Sequence, residues 1–271
     1  MTLFRVDFGS SIGLGHLKRS LVYTKNFKDV VYISKSDKKE FVPYPLITIK
    51  DEEEFFLHVK KLQPKEVIVD NYDFTCKNER EFKKLFPHIK LTCFDDDYRE
   101  HCCDEIINHN ISANIKKYPN PNIVKIIPPL IRDEFKKEKA IKREKNYDYF
   151  VAMGGSDTQN LNISILKSLP KDKKIALLTT SANKNLKELK KFVTNKDNIA
   201  LHVDSDEVAK LLNQSRLAII TPSVIVHEVL FMKVPFVAIK TADNQDDIYL
   251  YLKKNSYEVY ENFEKWIKNK I

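Results

Sequence analysis

The sequence predicts an α/β protein made of two Rossmann-like halves, each a parallel sheet flanked by helices. Three observations carry that reading. Apolar strand-like runs alternate with amphipathic helical runs along the chain. The 271 residues suit two domains at roughly 150 residues each. The five glycines fall in only two places, Gly9, Gly13 and Gly15, then Gly154 and Gly155. Each place follows an apolar strand and precedes a helix, where glycine permits positive φ and close approach of the backbone to a ligand.

In chain order, residues 3–7 read as a buried strand ending on Asp7. A helix at 16–27 turns Leu17, Leu21 and Val22 inward. Strands follow at 30–34, 66–70, 89–94, 105–108 and 124–127, with helices at 52–62 and 77–86. Pro128 and Pro129 close this alternation, and the charged stretch 132–145 reads as a helix leading to a linker. The first domain is therefore set at residues 1–143. A second alternation gives strands at 147–153, 174–179, 198–203, 217–221 and 234–239. Its helices fall at 158–169, 186–193, 207–213, 224–231 and 245–254, within a domain set at 144–255. Residues 256–271 form a last helix that either packs back on the first half or frays.

Composition narrows the function. Lys and Arg number 46 against 38 Asp and Glu, a net charge of +8, but the excess is dispersed. Segments such as Lys187-Glu188-Leu189-Lys190-Lys191 carry both signs at helical spacing and read as solvated faces, not as a nucleic-acid stripe. The chain lacks an apolar run of about 18 residues, and its charged opening is unlike a signal peptide, so a cytoplasmic protein is expected. The four cysteines, Cys76, Cys93, Cys102 and Cys103, are then expected to be reduced, buried thiols. Their nearness to His101 and His109 invites zinc, but no Cys-x-x-Cys spacing exists and a vicinal pair suits a tetrahedral site poorly. Neither a metal nor a cofactor is expected.

The strands of the first half end in polar clusters: Asp7, then Asp70-Asn71-Tyr72-Asp73, Asp95-Asp96-Asp97 and Asn108-His109-Asn110. Parallel sheets bind ligands at that edge, although each residue alone suits a cap or turn equally well. His16 follows Gly15 in a helical first turn, which disfavours imidazolium and leaves a neutral ring able to take a proton from water. An ordinary exposed histidine is the competing reading. Neither glycine turn is a standard motif: Lys18 stands where a dinucleotide fingerprint needs glycine, and no Gly-Lys-Ser/Thr is present. The second turn, Met153-Gly154-Gly155-Ser156-Asp157, offers backbone N–H groups and a helix N-terminus to a diphosphate. Glu228, on the helix after Thr221-Pro222-Ser223, can accept two ribose hydroxyls, and Asn244 and Gln245 suit sugar hydroxyl or acetamido groups.

Taken together, Phe4-Arg5-Val6-Asp7 and Gly13-Leu14-Gly15-His16-Leu17-Lys18-Arg19 resemble the opening of PseG-type nucleotide-sugar hydrolases. Val69-Asp70-Asn71-Tyr72, Phe94-Asp95-Asp96, Asn108-His109-Asn110, Leu130-Ile131-Arg132-Asp133-Glu134-Phe135 and Met153-Gly154-Gly155-Ser156-Asp157 are similar to its later blocks, in order and over nearly the whole chain. The resemblance implies a GT-B fold related to MurG, with the two parallel sheets facing a central cleft. It implies release of UDP from UDP-2,4-diacetamido-2,4,6-trideoxy-β-L-altropyranose in the pseudaminic acid route that serves flagellin glycosylation. It puts the catalytic histidine at His16, assisted by a cleft carboxylate, so that water attacks the anomeric carbon with inversion and without metal. Gly13, Gly15, Asp70, Asn71, Tyr72, Asn244 and Gln245 are then expected around the sugar. Gly154, Gly155, Ser156 and Asp157 are expected at the diphosphate, Ser223, Val224 and Ile225 at the uracil, and Glu228 at the ribose. His227 receives no role. The partner expected is the UDP-linked sugar alone, bound by a monomer with no nucleic acid and no membrane insertion. A GT-B glycosyltransferase using a UDP-amino-sugar donor and a non-catalytic nucleotide-sugar binder remain the alternatives.

Overall fold

The structure is a computed structural model that describes residues 1–9, 14–36 and 41–270. It divides into two compact units, Met1–Leu130 and Ile131–Ile271.

The first unit alternates β1 (Thr2–Val6), α1 (Gly15–Thr24), β2 (Val30–Ser34), β3 (Leu46–Thr48), α2 (Glu52–Leu62), β4 (Glu66–Asp70), α3 (Cys76–Leu85), β5 (Lys90–Phe94), β6 (Glu105–Asn108) and β7 (Val124–Ile126). The strands form one sheet in the order β3-β2-β1-β4-β5-β6-β7, and every neighbouring pair is parallel. Residues alternate between its two faces. Leu3, Val67, Val69, Leu91 and Ile106 join Phe55, Phe82 and Phe86 in one core. Phe4, Val6, Ile68, Phe94 and Ile107 join Leu17 in the other. Each fully buried Phe contributes about 1.5–3 kcal/mol of transfer free energy. The ends of α2 show why it begins and stops where it does. Asp51 accepts from the Glu54 N–H at 2.9 Å, three glutamates fill the first turn, and Gln63 turns the chain away at φ 45°.

The second unit opens with α4 (Asp133–Lys139), continues through β8 (Tyr147–Ala152), α5 (Leu161–Ser168), β9 (Ile175–Thr179), α6 (Leu186–Val193), β10 (Ile199–Val203), α7 (Val208–Asn213), β11 (Ser215–Ile220), α8 (Ile225–Met232), β12 (Phe236–Ile239), α9 (Asp246–Lys254) and β13 (Val259–Tyr260), and ends on α10 (Phe263–Lys270). Its sheet is also all parallel, in the order β10-β9-β8-β11-β12-β13. In both sheets the strand order reverses beside the strand that precedes a glycine turn: between β1 and β4, and between β8 and β11. Crevices at such reversals are where open parallel sheets bind ligands.

Three expectations need correction. The stretch read as a helix leading to a linker belongs to the second unit. Phe135 is fully buried there, and Glu138 holds both Arg143, at 2.5 and 3.0 Å, and Asn213, at 3.0 Å. The C-terminal helix does not fray: it buries Trp266 in the core of the second unit. Cys76 and Cys102 are not reduced, buried thiols but form a half-buried disulfide between the first residue of α3 and the loop before β6. Only Cys93 and Cys103 are free and buried. Two edge strands, β3 and β13, are absent from the sequence reading. With three and two residues, they are too short to show alternation.

Candidate functional site

In the first unit the functional edge forms where β1 and β4 lie side by side, with Val6 paired to Asp70. The glycine segment follows β1 in the chain and leads to α1, whose second residue is His16. Gly13 lies outside the described residues. Gly15 is exposed as the first residue of α1. The side chain of His16 then meets the end of β4: Nδ1 is 2.6 Å from Asp70 Oδ1.

Asp70 is fully buried and does not stand alone. Arg19, one turn along α1 from His16, grips it bidentately, Nε to Oδ2 at 2.7 Å and Nη2 to Oδ1 at 2.6 Å. Nη1 of Arg19 donates to Asp96 at 2.9 Å. The hydroxyl of Tyr72 donates to the other oxygen of Asp96 at 2.7 Å, and its ring lies edge-on to His16 with centroids 4.6 Å apart. Burial alone would raise the Asp70 carboxyl, but the Arg19 charge, and behind it His16, hold it well below the usual carboxylate range. An ionised carboxylate cannot donate, so at 2.6 Å the proton of this contact sits on Nδ1. The imidazole then presents Nε2 as its basic nitrogen.

The other strand-end residues turn inward. Asn71 is buried and donates to Asp7 at 2.9 Å, and Asp7 is itself clamped by Arg5 at 2.5 and 2.9 Å. His109 is buried, and burial together with the Arg19 charge lowers its ring to about 4. Asp95 accepts from Arg99, whose guanidinium covers the face of Tyr72 at 5.1 Å.

In the second unit, Gly154, Gly155 and Ser156 are exposed between β8 and α5. Gly154 has φ +81°, which favours glycine there, and a Cβ on Gly155 would meet the Thr180 side chain at 2.9 Å, so a larger residue forces that side chain to shift. Asp157 is buried and caps α5, accepting from Leu161 N–H at 2.8 Å and Asn162 N–H at 3.0 Å. The amides of Leu161 and Asn162 at the start of α5 are thus already occupied by a carboxylate, whereas Gly154 and Gly155 are exposed. Helix α8 has no side-chain cap at its N-terminus. Ser223, Val224 and Ile225 form its entry, with the Ser223 hydroxyl 3.0 Å from that of Thr221 and Val224 exposed. Glu228, in the first turn of α8, accepts a bidentate pair from Arg132, at 2.6 and 2.9 Å. Gln245 folds back on Thr241, accepting from its N–H at 2.8 Å, while Asn244 is exposed.

Sequence reasoning missed Arg19, Asp96 and Arg132 as site residues. The spacing of His16 and Arg19 on one helix face was the available signal for Arg19. Among the described residues two clusters carry metal-ligating atom types: Glu79, Cys93, His101 and Cys103, and Cys76, Glu100 and Cys102. The two sulfurs of the second are bonded to each other.

No protein-family model matches the chain. The curated UDP-2,4-diacetamido-2,4,6-trideoxy-β-L-altropyranose hydrolase of Campylobacter jejuni is 36% identical over 273 residues, covering 95% of this chain and 97% of that protein. An uncharacterised protein of Methanocaldococcus jannaschii is 28% identical over 285 residues, covering 92% of this chain and 58% of its own length. Among solved structures, Anabaena HepE in complex with UDP-glucose matches with a TM-score of 0.65 at 13% identity, over 99% of this chain and 88% of that one. MurG of Acinetobacter baumannii matches with a TM-score of 0.58 at 12% identity, over 96% and 85%. The likeness to these structures shows the fold, that of the GT-B glycosyltransferases.

Proposed function

The chain belongs to the UDP-2,4-diacetamido-2,4,6-trideoxy-β-L-altropyranose hydrolase family, and from that premise we propose that it releases UDP from this sugar nucleotide by water attack at the anomeric carbon. The observation that carries the mechanism is the contact between His16 Nδ1 and Asp70. With Nδ1 donating to a fixed carboxylate, Nε2 accepts a proton from water as its oxygen bonds to the anomeric carbon. The bond from that carbon to the phosphate oxygen breaks on the opposite face, so configuration inverts. Asp70 is a positioning residue that stabilises the imidazolium as it forms. This replaces its expected place beside the sugar, because both its oxygens are engaged and buried.

The departing diphosphate carries the developing negative charge. Backbone N–H groups at Gly154 and Gly155 and the N-terminus of α8 supply positive potential for it. Glu228 serves the ribose, with Arg132 holding its carboxylate in place. Ser223, Val224 and Ile225 line the uracil side, and Tyr72, Asn244 and Gln245 face the sugar. The protein works as a monomer in the cytoplasm under this proposal. Family membership favours water over a sugar or lipid acceptor, and so favours a hydrolase over a transferase.

The test is an NMR time course of the purified protein with UDP-2,4-diacetamido-2,4,6-trideoxy-β-L-altropyranose and no acceptor. UDP and an initially inverted free sugar are expected. Persistence of the substrate until an acceptor is added would move the chain to the transferases, and binding without turnover would make it a carrier.

A further inference from the structure

The strongest group of chemically active side chains outside that site lies between α3, β5 and the loop before β6. Glu79, Cys93, His101 and Cys103 bring a carboxylate, two thiols and an imidazole together, with one ligand atom of each within 4.8 Å of all the others. The carboxylate of Glu79 is fully buried, and Cys93 and Cys103 are 2% and 7% exposed. His101 Nδ1 lies 2.7 Å from Glu79 Oε1, and Cys93 Sγ lies 3.5 Å from the same oxygen. The ring's other nitrogen, Nε2, is buried with no aligned hydrogen bond and faces Asp95 Oδ1 at 3.5 Å.

One of the two objections to a metal here was the vicinal pair Cys102-Cys103, the other being the absence of a Cys-x-x-Cys spacing. The structure removes the first by sending the two side chains apart. Cys102 is tied to Cys76, while Cys103 turns into the cluster. The cluster therefore uses one cysteine of the pair and takes its other thiol from β5.

We propose that Glu79, Cys93, His101 and Cys103 form a closed, structural zinc site. Two thiolates, an imidazole and a carboxylate are a zinc donor set, and soft sulfur selects against magnesium and calcium. Zinc bonds of about 2.0–2.3 Å in a tetrahedron put ligand atoms about 3.3–3.8 Å apart, so the His101–Glu79 pair at 2.7 Å must open slightly while atoms as far as 4.8 Å apart draw in. His101 binds through Nδ1, which leaves Nε2–H to donate to Asp95, the carboxylate–histidine support that zinc ligands commonly have. Binding forms two Zn–S bonds, one Zn–N bond and one Zn–O bond. It releases the two thiol protons to solvent, and the imidazole binds as the tautomer that carries its proton on Nε2.

The site has a structural purpose. The segment from Asp95 to Cys103 carries Asp96, which receives Arg19 and Tyr72. A zinc ion would fasten both ends of that segment to α3, holding Asp96 in place without touching substrate.

The experiment uses the full chain, reduced, stripped of metal and titrated with Zn2+ or Co2+. One Co2+ per chain is expected, with a thiolate-to-cobalt charge-transfer band and tetrahedral d–d bands that Zn2+ abolishes. X-ray absorption of the wild-type zinc protein should give two sulfur and two nitrogen or oxygen ligands, a readout that no variant's misfolding can affect. Cys93→Ser/Cys103→Ser should weaken zinc by about 100-fold or more, while Cys76→Ser/Cys102→Ser keeps the spectrum. The proposal is overturned if wild type gives no charge-transfer band, if absorption shows no sulfur ligands, or if the band follows Cys76 and Cys102 instead.

Discussion

His16 and Asp70 are 54 positions apart in the chain, yet Nδ1 of one lies 2.6 Å from Oδ1 of the other. The parallel pairing of β1 with β4 makes this possible, because it sets the turn after β1 beside the last residue of β4. The pair couples the orientation of a ring on a helix to a carboxylate locked in the sheet. Its chemical consequence is an imidazole with one nitrogen committed and the other available.

Replacing His16 with Asn removes the proposed base while keeping a polar side chain of similar reach. Turnover should fall by about 10²–10⁴ with affinity for UDP unchanged. Rates of UDP release and calorimetric titration with UDP check both halves.

Asp70→Asn should act twice. Turnover falls because the amide can present its N–H to Nδ1 and so favours the wrong tautomer. Stability falls as well, by about 3–5 kcal/mol, because Arg19 is left as a buried cation without its bidentate partner. Urea unfolding measures the second effect, and an unchanged midpoint would show that Asp96 alone satisfies Arg19.

Gly155→Ala places a Cβ 2.9 Å from both Cγ2 and Oγ1 of Thr180. The overlap should cost about 1–3 kcal/mol and weaken UDP binding as the loop shifts. Thr180→Ala added to it removes both clashing atoms, leaving the Thr180 Cβ at 3.5 Å, and should restore most of the loss. Thermal unfolding of the single and double variants tests the coupling.

Glu228→Gln should weaken UDP by about tenfold, or about 1.4 kcal/mol, since Arg132 keeps its ion pair with Glu134 but loses the charged one that holds residue 228, and the ribose loses a charged acceptor. Uridine should lose as much affinity as UDP if the ribose is the contact, which a parallel titration reads directly.

The pH dependence of stability has a defined sign at His109. Burial, with the Arg19 charge, puts its folded value at about 4, against about 6.5 when unfolded. Between these values the unfolded chain holds a proton that the folded chain does not. The contribution is present above about pH 6.5 and is lost as pH falls to about 4, a few kcal/mol in all. Asp70, Asp95 and Asp96 are all held low and stay ionised through this window. His202 adds a shift of the same sign. The difference in slope between wild type and His109→Gln isolates the His109 part.

The architecture was legible in the sequence because buried parallel strands read as continuous apolar runs and because glycine is confined to the turns after β1 and β8. His16 was legible from its place behind Gly15. Its partner was not: Asp70 looked like one of several strand-end acids, and only strand order distinguishes the one beside β1 from those after β5. Asp157 was read as a diphosphate contact, whereas its carboxylate caps α5, a use that side-chain type alone does not separate from ligand binding. The cysteine cluster was hidden because Glu79 and Cys93 come from separate elements and because a vicinal pair does not reveal that its members point apart.

Among the described residues neither sheet has an antiparallel pair, and its strands reach their neighbours through crossovers. No part of either sheet can therefore form early as a local hairpin. The chain must close long loops before any strand pairing rewards it, which slows folding and prolongs exposure of unpaired edges. A protein that needs two polar turns held at the ends of parallel strands accepts, in this topology, a slow route to the native state.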